Sequence, residues 1–477
     1  MATILLLFGI LFIIAMIFSR LSEKMGIPVL LIFLGIGILF GSDVLNVIYF
    51  DNALLAKQVA DVLLIFILFE GGFRIPRQLL RTYGAPSLVL ASFGVLITAL
   101  ALGLAIHFVL GMDLWFSLMV ASIVSSTDAS GVFLITRQYP LKEKIAATIT
   151  IESAANDPMA ILLTLATLSV LEGNARHPGL YVVSLVWQFG GGILVAFVVA
   201  KLSVLLFKFF NSKNRSNYTV LMIGLILSTY GLSELIQANG IIGVFFLGYW
   251  LGNASYPAKQ SMANFLEGIT GFANVGLFLM LGLLAFPHQL VQVWQLGLII
   301  TALLVFVVRP FMVFLLTLPF KYSFAEKLCI SWAGIKGVVP IVLATYPLVA
   351  GKDQGIVFNV VFFVVLISSL VQGLSLGPLA RALRLTTVKR AEPSHIVELH
   401  SLKESDVELL EFHIQQDSQG AYKRIADLGL GDQGLISAII RQDRLVLPKG
   451  RTVLEPGDIV YVMVPRDQIQ GVRKQLG

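Results

Sequence analysis

The stretch Ile151-Glu152-Ser153-Ala154-Ala155-Asn156-Asp157-Pro158 sets two carboxylates, an amide and a hydroxyl inside a segment otherwise apolar enough to cross a bilayer. A charged residue at the bilayer centre costs about 2.5–3.5 kcal/mol on insertion scales, so such residues face a cavity or a partner rather than lipid. The preceding apolar segment carries a second polar interruption, Ser125-Ser126-Thr127-Asp128-Ala129-Ser130-Gly131. Acids at mid-depth in two neighbouring spans point to a pathway for cations and protons.

Composition agrees with a membrane setting. Of 477 residues, 57% are hydrophobic and only 13% are charged, and the mean hydropathy is +0.87. Soluble domains carry about 25% charged residues, so the chain is expected to be an all-α, multi-pass membrane protein. The formal charge of +6 lies largely in short loops between apolar runs and calls for no nucleic-acid partner. One cysteine, Cys329, leaves no intrachain disulfide and no cysteine metal site. The histidines show neither HxxxH nor HExxH spacing. His107, near the outer end of a span, and His395, His400 and His413 in the tail are expected to be structural or solvated.

A span needs about 20 residues. About thirteen segments meet that need, near 2–18, 27–41, 53–70, 84–110, 114–136, 144–171, 180–209, 218–236, 239–252, 262–285, 291–318, 325–348 and 355–383. The first has basic residues after it, Arg20 and Lys24, and none before it, so it is expected to be a retained helix rather than a signal peptide. Alternate loops then hold Arg20 and Lys24; Arg74, Arg77 and Arg81; Arg137, Lys142 and Lys144; Lys208, Lys213 and Arg215; Lys259; Lys321 and Lys327; and Arg381, Arg384, Lys389 and Arg390. The other loops hold little beyond Arg176 and Lys352. By the positive-inside rule the N-terminus is outside and the C-terminus in the cytoplasm.

Composition changes near residue 390. The expected division is a transmembrane domain over 1–385, a linker over 386–394 and a small cytosolic α+β domain over 395–477. Val407-Glu408-Leu409-Leu410-Glu411-Phe412 and Ile459-Val460-Tyr461-Val462-Met463-Val464 read as strands, with turns at Pro448-Lys449-Gly450 and Glu455-Pro456-Gly457-Asp458.

Two spans are poor helix material: the fifth, at Thr127-Asp128-Ala129-Ser130-Gly131, and the twelfth, at Gly334-Ile335-Lys336-Gly337-Val338-Val339-Pro340. Unwound backbone at membrane depth survives only when buried in protein or lining a cavity. If spans 1–6 and 8–13 are inverted repeats, both breaks fall in the fifth element of their half, the arrangement that marks a transporter site. Asp157 is the expected exchange carboxylate, holding either a proton or a cation. Ser153 stands one helical turn before it, and Glu152 and Asn156 form the neighbouring stripe. Hard oxygens from Asp157, Asp128, Thr127 and Ser153 suit an alkali cation. Glu152 is expected to be structural, because a second ionised carboxylate beside Asp157 is costly unless paired. Arg309 is the intramembrane arginine late in the chain, and Lys336 is placed to neutralise the negative ends of half-helix dipoles. Glu70, in Phe69-Glu70-Gly71-Gly72, is either a funnel acid or a helix-end carboxylate.

These motifs, together with Ser126-Thr127-Asp128-Ala129, resemble the cation/proton antiporter superfamily in its electroneutral sodium- or potassium/proton branch. The resemblance covers residues 1–385. The tail, with Leu454-Glu455-Pro456-Gly457-Asp458, resembles the TrkA-C (RCK-C) regulatory domain. Together they look like bacterial NhaP-type potassium/proton antiporters that carry a TrkA-C domain. The resemblance implies a homodimer in the bacterial inner membrane, with a dimerisation domain and a mobile core of crossed broken helices. It implies Asp157 as the ion- and proton-binding acid, Thr127, Asp128 and Ser153 as co-ligands, Asn156 as the partner amide and a Glu152–Arg309 pair. The electrogenic branch has Asp where Asn156 stands, so one cation is expected to exchange for one proton. The family often has Arg where this chain has Lys336, which leaves that cation titratable or differently placed.

No resident cofactor is expected; K⁺ or Na⁺ and H⁺ are the transported species. No G-x-G-x-x-G follows a strand, so the nucleotide-binding half that often precedes a TrkA-C domain is missing, and a small, nucleotide-type effector at 395–477 is the regulatory ligand left open. Sodium/proton exchange on the same fold is the nearest alternative function. A tail-gated cation channel, and an intramembrane protease using Asp128 and Asp157 as a dyad, are more distant ones.

Overall fold

The structure, a computed structural model, describes residues 2–25, 28–128, 131, 139–173, 178–210, 215–351, 355–387, 407–415, 418–441, 444–465 and 468–476. Ala129 and Ser130 of the first break lie outside the described residues, as do most of the 386–394 linker, His395, His400, and the loop cations Arg137, Arg176, Lys213, Lys352, Lys389 and Arg390. The chain divides into two compact units, Met1–Thr387 and Val388–Gly477.

The first unit is helical. It begins with α1 (Ala2–Met25), α2 (Val29–Phe40) and α3 (Ala53–Phe73). Asn52 starts α3 by accepting the Leu55 amide at 2.9 Å. Helices α4 (Arg77–Val89) and α5 (Val95–Leu110) are two parts of one span, joined by a π-helical segment, Leu90–Gly94. Gly111, at φ +65°, closes α5. Asp113 then caps α6 (Leu114–Ile123) through the amides of Trp115 and Phe116. After the first break come α7 (Glu143–Leu171), α8 (Pro178–Phe210), α9 (Arg215–Leu235), α10 (Gly240–Gly252) and α11 (Lys259–Leu284). A short α12 (Pro287–Gln292) leads into α13 (Trp294–Ala302), which runs through a second π-helical segment, Leu303–Val308, into α14 (Arg309–Leu316). A Ser323–Glu326 capping box starts α15 (Phe324–Trp332). The second break separates it from α16 (Val338–Val349), and α17 (Ile356–Ala382) ends the unit.

Among the described residues seven helices are long and apolar enough to cross a membrane. The other spans expected from the sequence are short helices, halves of broken spans, or α3, which carries Lys57, Asp61 and Glu70. One large core joins α1–α3 and α11 to α5–α7, α16 and α17, and two smaller packed groups accompany it. In one, α3 and α8–α11 share a core that includes Phe69, Phe207, Met222, Leu247 and Leu266. In the other, the first π segment, α7, α14, α15 and α17 enclose Leu90, Ile149, Met312, Cys329 and Leu376.

Helices α3 and α10 touch backbone to backbone. A Cβ on Gly72 of α3 would lie 2.1 Å from the Phe245 carbonyl oxygen of α10, and one on Gly248 of α10 would lie 2.1 Å from that of Phe69. Small residues at such crossings permit the close packing that drives helix association in lipid.

The second unit carries a four-stranded antiparallel sheet in the order β1-β4-β2-β3, from β1 (Val407–His413), β2 (Leu435–Arg441), β3 (Arg444–Val446) and β4 (Ile459–Pro465). Val460, Val462 and Val464 alternate inward and pack with Ile439, Leu454 and Val472, the last of these from α18 (Ile469–Leu476). The Glu455-Pro456-Gly457-Asp458 turn is tied to β2. Buried Asp458 accepts from Arg441 Nε and Nη2 at 2.8 Å each and from the Glu455 amide at 2.8 Å.

Gly71 and Gly72 offer a paired test of the α3–α10 contact. Nothing lies within 4 Å of a Cβ built on Gly71. Gly72→Ala is expected to cost about 1–3 kcal/mol through overpacking and to lower the melting temperature of the detergent-solubilised protein. Gly71→Ala is expected to leave it unchanged.

Candidate functional site

The two breaks meet. The Asp128 amide donates to the Ile335 carbonyl at 2.8 Å, joining the unwound stretch after α6 to the one before α16. The last carbonyls of a helix have no partner within it and carry its negative dipole end. Lys336 supplies the partner. Its Nζ donates to the carbonyls of Ser126 at 2.8 Å and Ser125 at 3.4 Å, and the side chain is 2% exposed. Asp128 serves the opposite sign: its Oδ2 accepts the Gly131 amide at 2.9 Å. The crossing needs Gly337, because a Cβ there would lie 2.6 Å from the Cβ of Asp128.

Helix α7 brings its polar stretch to this crossing. Glu152, Ser153, Asn156 and Asp157 are all buried. Thr127 Oγ1 donates to Ser153 Oγ at 3.0 Å and accepts from Asn156 Nδ2 at 2.6 Å, while the Thr127 amide donates to Asn156 Oδ1 at 3.3 Å. Asn156 also donates to Glu152 Oε1 at 3.3 Å. Arg309 donates to both oxygens of Glu152 at 2.9 Å, a bidentate pair with side chains 4% and 0% exposed. The π segment 303–308 ends immediately before Arg309. Pro310 has no N–H to offer Phe306, which makes the wider turn tolerable. A Cβ on Gly334 would lie 2.8 Å from Arg309 Nε, so the guanidinium lies directly against the second break.

Asp157 has Asp128, Lys336 and Glu152 as charged neighbours. Its Oδ1 is buried and has no hydrogen-bond partner among the described residues. A cavity of about 330 Å³ reaches it, with Thr127, Asp128, Glu70 and Arg74 also in its wall. Glu70 pairs with Arg74 at the end of α3 and lines the opening as well. Toward the other end of the same helix Lys57 donates to Asp61 Oδ2 at 2.8 Å, and Asp61 Oδ1 accepts from the Tyr346 hydroxyl of α16 at 2.7 Å. That second cluster escaped the sequence reading. Lys57 and Asp61 are a visible i, i+4 pair, but Tyr346 is 285 positions from Asp61. The polar face of α11, with Glu267, Thr270 and Asn274 on the cavity wall, was missed too. Its spacing of three and four was legible in Glu267, Thr270 and Asn274, but which face of α11 meets the cavity depends on packing with helices distant in sequence.

Crossed broken helices, a buried carboxylate at their meeting point and a cavity leading to it define a secondary transporter for small cations. Residues 8–382 match the family described as sodium/hydrogen exchanger, transmembrane, and residues 409–477 match the TrkA-C domain. The chain belongs to the sodium/hydrogen exchanger family. It is 34% identical over 470 residues to the K(+)/H(+) antiporter NhaP of Alkalimonas amylolytica, covering 96% of this chain and 80% of that one. It is 35% identical over 456 residues to the K(+)/H(+) antiporter NhaP2 of Shewanella sp. strain ANA-3, covering 94% and 79%. Identity to the Na(+)/H(+) antiporter NhaH of Halobacillus dabanensis is 28% over 339 residues, covering 68% and 83%. The fold matches the solved sodium proton antiporter MjNhaP1 of Methanocaldococcus jannaschii with a TM-score of 0.70, at 23% identity over 79% of this chain and 97% of that one.

Removing one partner of a buried ion pair leaves the other charge uncompensated, at about 3–5 kcal/mol. Arg309→Ala is therefore expected to destabilise the protein strongly. The double variant Glu152→Gln/Arg309→Met, which leaves no net charge, is expected to recover most of the loss. Thermal unfolding in detergent, read by size-exclusion chromatography after heating, compares the two.

Proposed function

We propose that this protein is an electroneutral potassium/proton antiporter of the bacterial cytoplasmic membrane that serves cytoplasmic cation and pH homeostasis. The observation that carries the reading is the charge at the crossing. Three carboxylates, Asp128, Glu152 and Asp157, stand with two cations, Arg309 and Lys336. With all of them ionised the site holds one surplus negative charge. One alkali cation or one proton neutralises it, and the two compete for the same carboxylate. Arg309 already satisfies Glu152, so Asp157, which lines the cavity and has an oxygen without a partner among the described residues, is the acid that exchanges. Asn156 adds an amide where a further acid would change the stoichiometry.

Thr127, Asp128 and Ser153 would supply the neighbouring oxygens, with Asn156 fixing Thr127. Potassium is favoured over sodium because the relatives at 34–35% identity bear potassium/proton names over nearly the whole chain. Antiporter names throughout also favour exchange over a gated channel or a protease, so the chain is read as a transporter and not an enzyme. The loop charges support an outside N-terminus and a cytoplasmic TrkA-C unit. On this reading the protein works as a homodimer, and residues 395–477 take a small nucleotide-type effector that adjusts the transport rate.

Proteoliposomes loaded with a pH dye test the reading. Added K⁺ is expected to drive proton flux that needs no charge compensation, with Na⁺ weaker. Asp157→Asn is expected to abolish the flux while the protein still elutes as the folded species. Full activity in that variant would overturn the role of Asp157, and a response to Na⁺ and Li⁺ alone would move the protein to sodium exchange.

A further inference from the structure

Three residues on the wall of the 330 Å³ cavity share an unusual property. Asp157, Ser126 and Thr270 each bury a side-chain oxygen that has no hydrogen-bond partner among the described residues. Such groups are costly in a folded protein unless something else satisfies them. Asp157 and Ser126 belong to the crossing. Thr270 does not: it stands on α11, in the opposite wall, and is 4% exposed.

A threonine hydroxyl in a helix ordinarily donates to a carbonyl one turn back. Thr148 and Thr229 do so here, to Lys144 and Leu225 at 2.7 Å each. Thr270 makes no such bond. Its neighbours on the same helix face extend the pattern. Glu267, one turn before, lies 3.9 Å from Arg74 at the opening, and Asn274, one turn after, lines the cavity as well. Seven residues of helix span about 10 Å. The wall facing Asp157 therefore carries a carboxylate, a hydroxyl and a carboxamide in file from the opening inward.

We infer that Thr270 is a cation-binding residue of the access path, contributed by α11. Its hydroxyl oxygen replaces one water of an alkali cation approaching Asp157 from the face that carries Arg74. The inference rests on the antiport reading above and adds the ligand from the far wall. Because Thr270 stands one turn inward from Glu267, which lies beside Arg74 at the opening, this oxygen serves the cation only where the cavity opens on the Arg74 face. Thr270 therefore sets affinity on that face and not on the opposite one.

Thr270→Val keeps the shape and removes the hydroxyl; Thr270→Ser keeps the hydroxyl. Cation-driven proton flux is measured in everted membrane vesicles, where the Arg74 face meets the bath, and in right-side-out vesicles. Thr270→Val is expected to raise the half-saturating K⁺ concentration by about three- to tenfold, the size of one lost polar contact, in everted vesicles only. Thr270→Ser is expected to stay close to the wild type. Unchanged half-saturation in Thr270→Val, an equal rise from both faces, or a Thr270→Ser variant as impaired as Thr270→Val would each overturn the inference. Should Thr270→Val fail to fold by size-exclusion chromatography, Thr270→Ala gives the same readout. A wild type without cation-driven flux would instead overturn the antiport reading, and this inference with it.

Discussion

Lipid offers no hydrogen bonds, so a helix that stops halfway through a membrane must find partners for its freed backbone inside the protein. Two spans of this chain stop in that way, and each satisfies the other. Lys336 caps the carbonyl end left by the first break, Asp128 accepts an amide beyond it, and the Asp128–Ile335 backbone bond joins the two unwound stretches. Further contacts hold the junction together. Gly337 lets the strands cross, Gly334 admits the guanidinium of Arg309, and Ser369 donates to the Lys336 carbonyl at 2.5 Å.

The junction also explains why so many charges tolerate burial together. A carboxylate in low dielectric is tolerable when its partner is fixed and well aimed. Glu152 has that in the two parallel bonds from Arg309. Asp128 bonds the backbone of the junction itself. Asp157, on the wall of the cavity, has an oxygen without a hydrogen-bond partner among the described residues. The asymmetry among three neighbouring acids separates scaffold from working group without appeal to any one of them in isolation.

Much of this architecture is written locally in the chain. Apolar runs mark the spans, polar stretches at 125–131 and 151–158 mark the junction, and the alternation at 407–412 and 459–464 marks two strands that pair with each other in the sheet. What stays hidden depends on distance and on backbone register. The π segments at 90–94 and 303–308 leave no mark in composition, yet the second one immediately precedes Arg309, the partner of a glutamate 157 positions earlier. Which lysine caps which carbonyl depends on the reach of a side chain across a fold, as with Lys336 and Ser126. Thr270 was passed over for a different reason. A threonine in a membrane-spanning helix looks unremarkable until the structure shows its hydroxyl without a partner among the described residues.

Cys329 lies fully buried in the core shared by α7, α14, α15 and α17. Thiol reactivity follows exposure, and the chain has no other cysteine. The native protein is thus chemically silent toward maleimides and methanethiosulfonates while folded. A cysteine placed anywhere on its surface becomes a single address for a dye or a spin label, and the wild-type core needs no alteration to make it so.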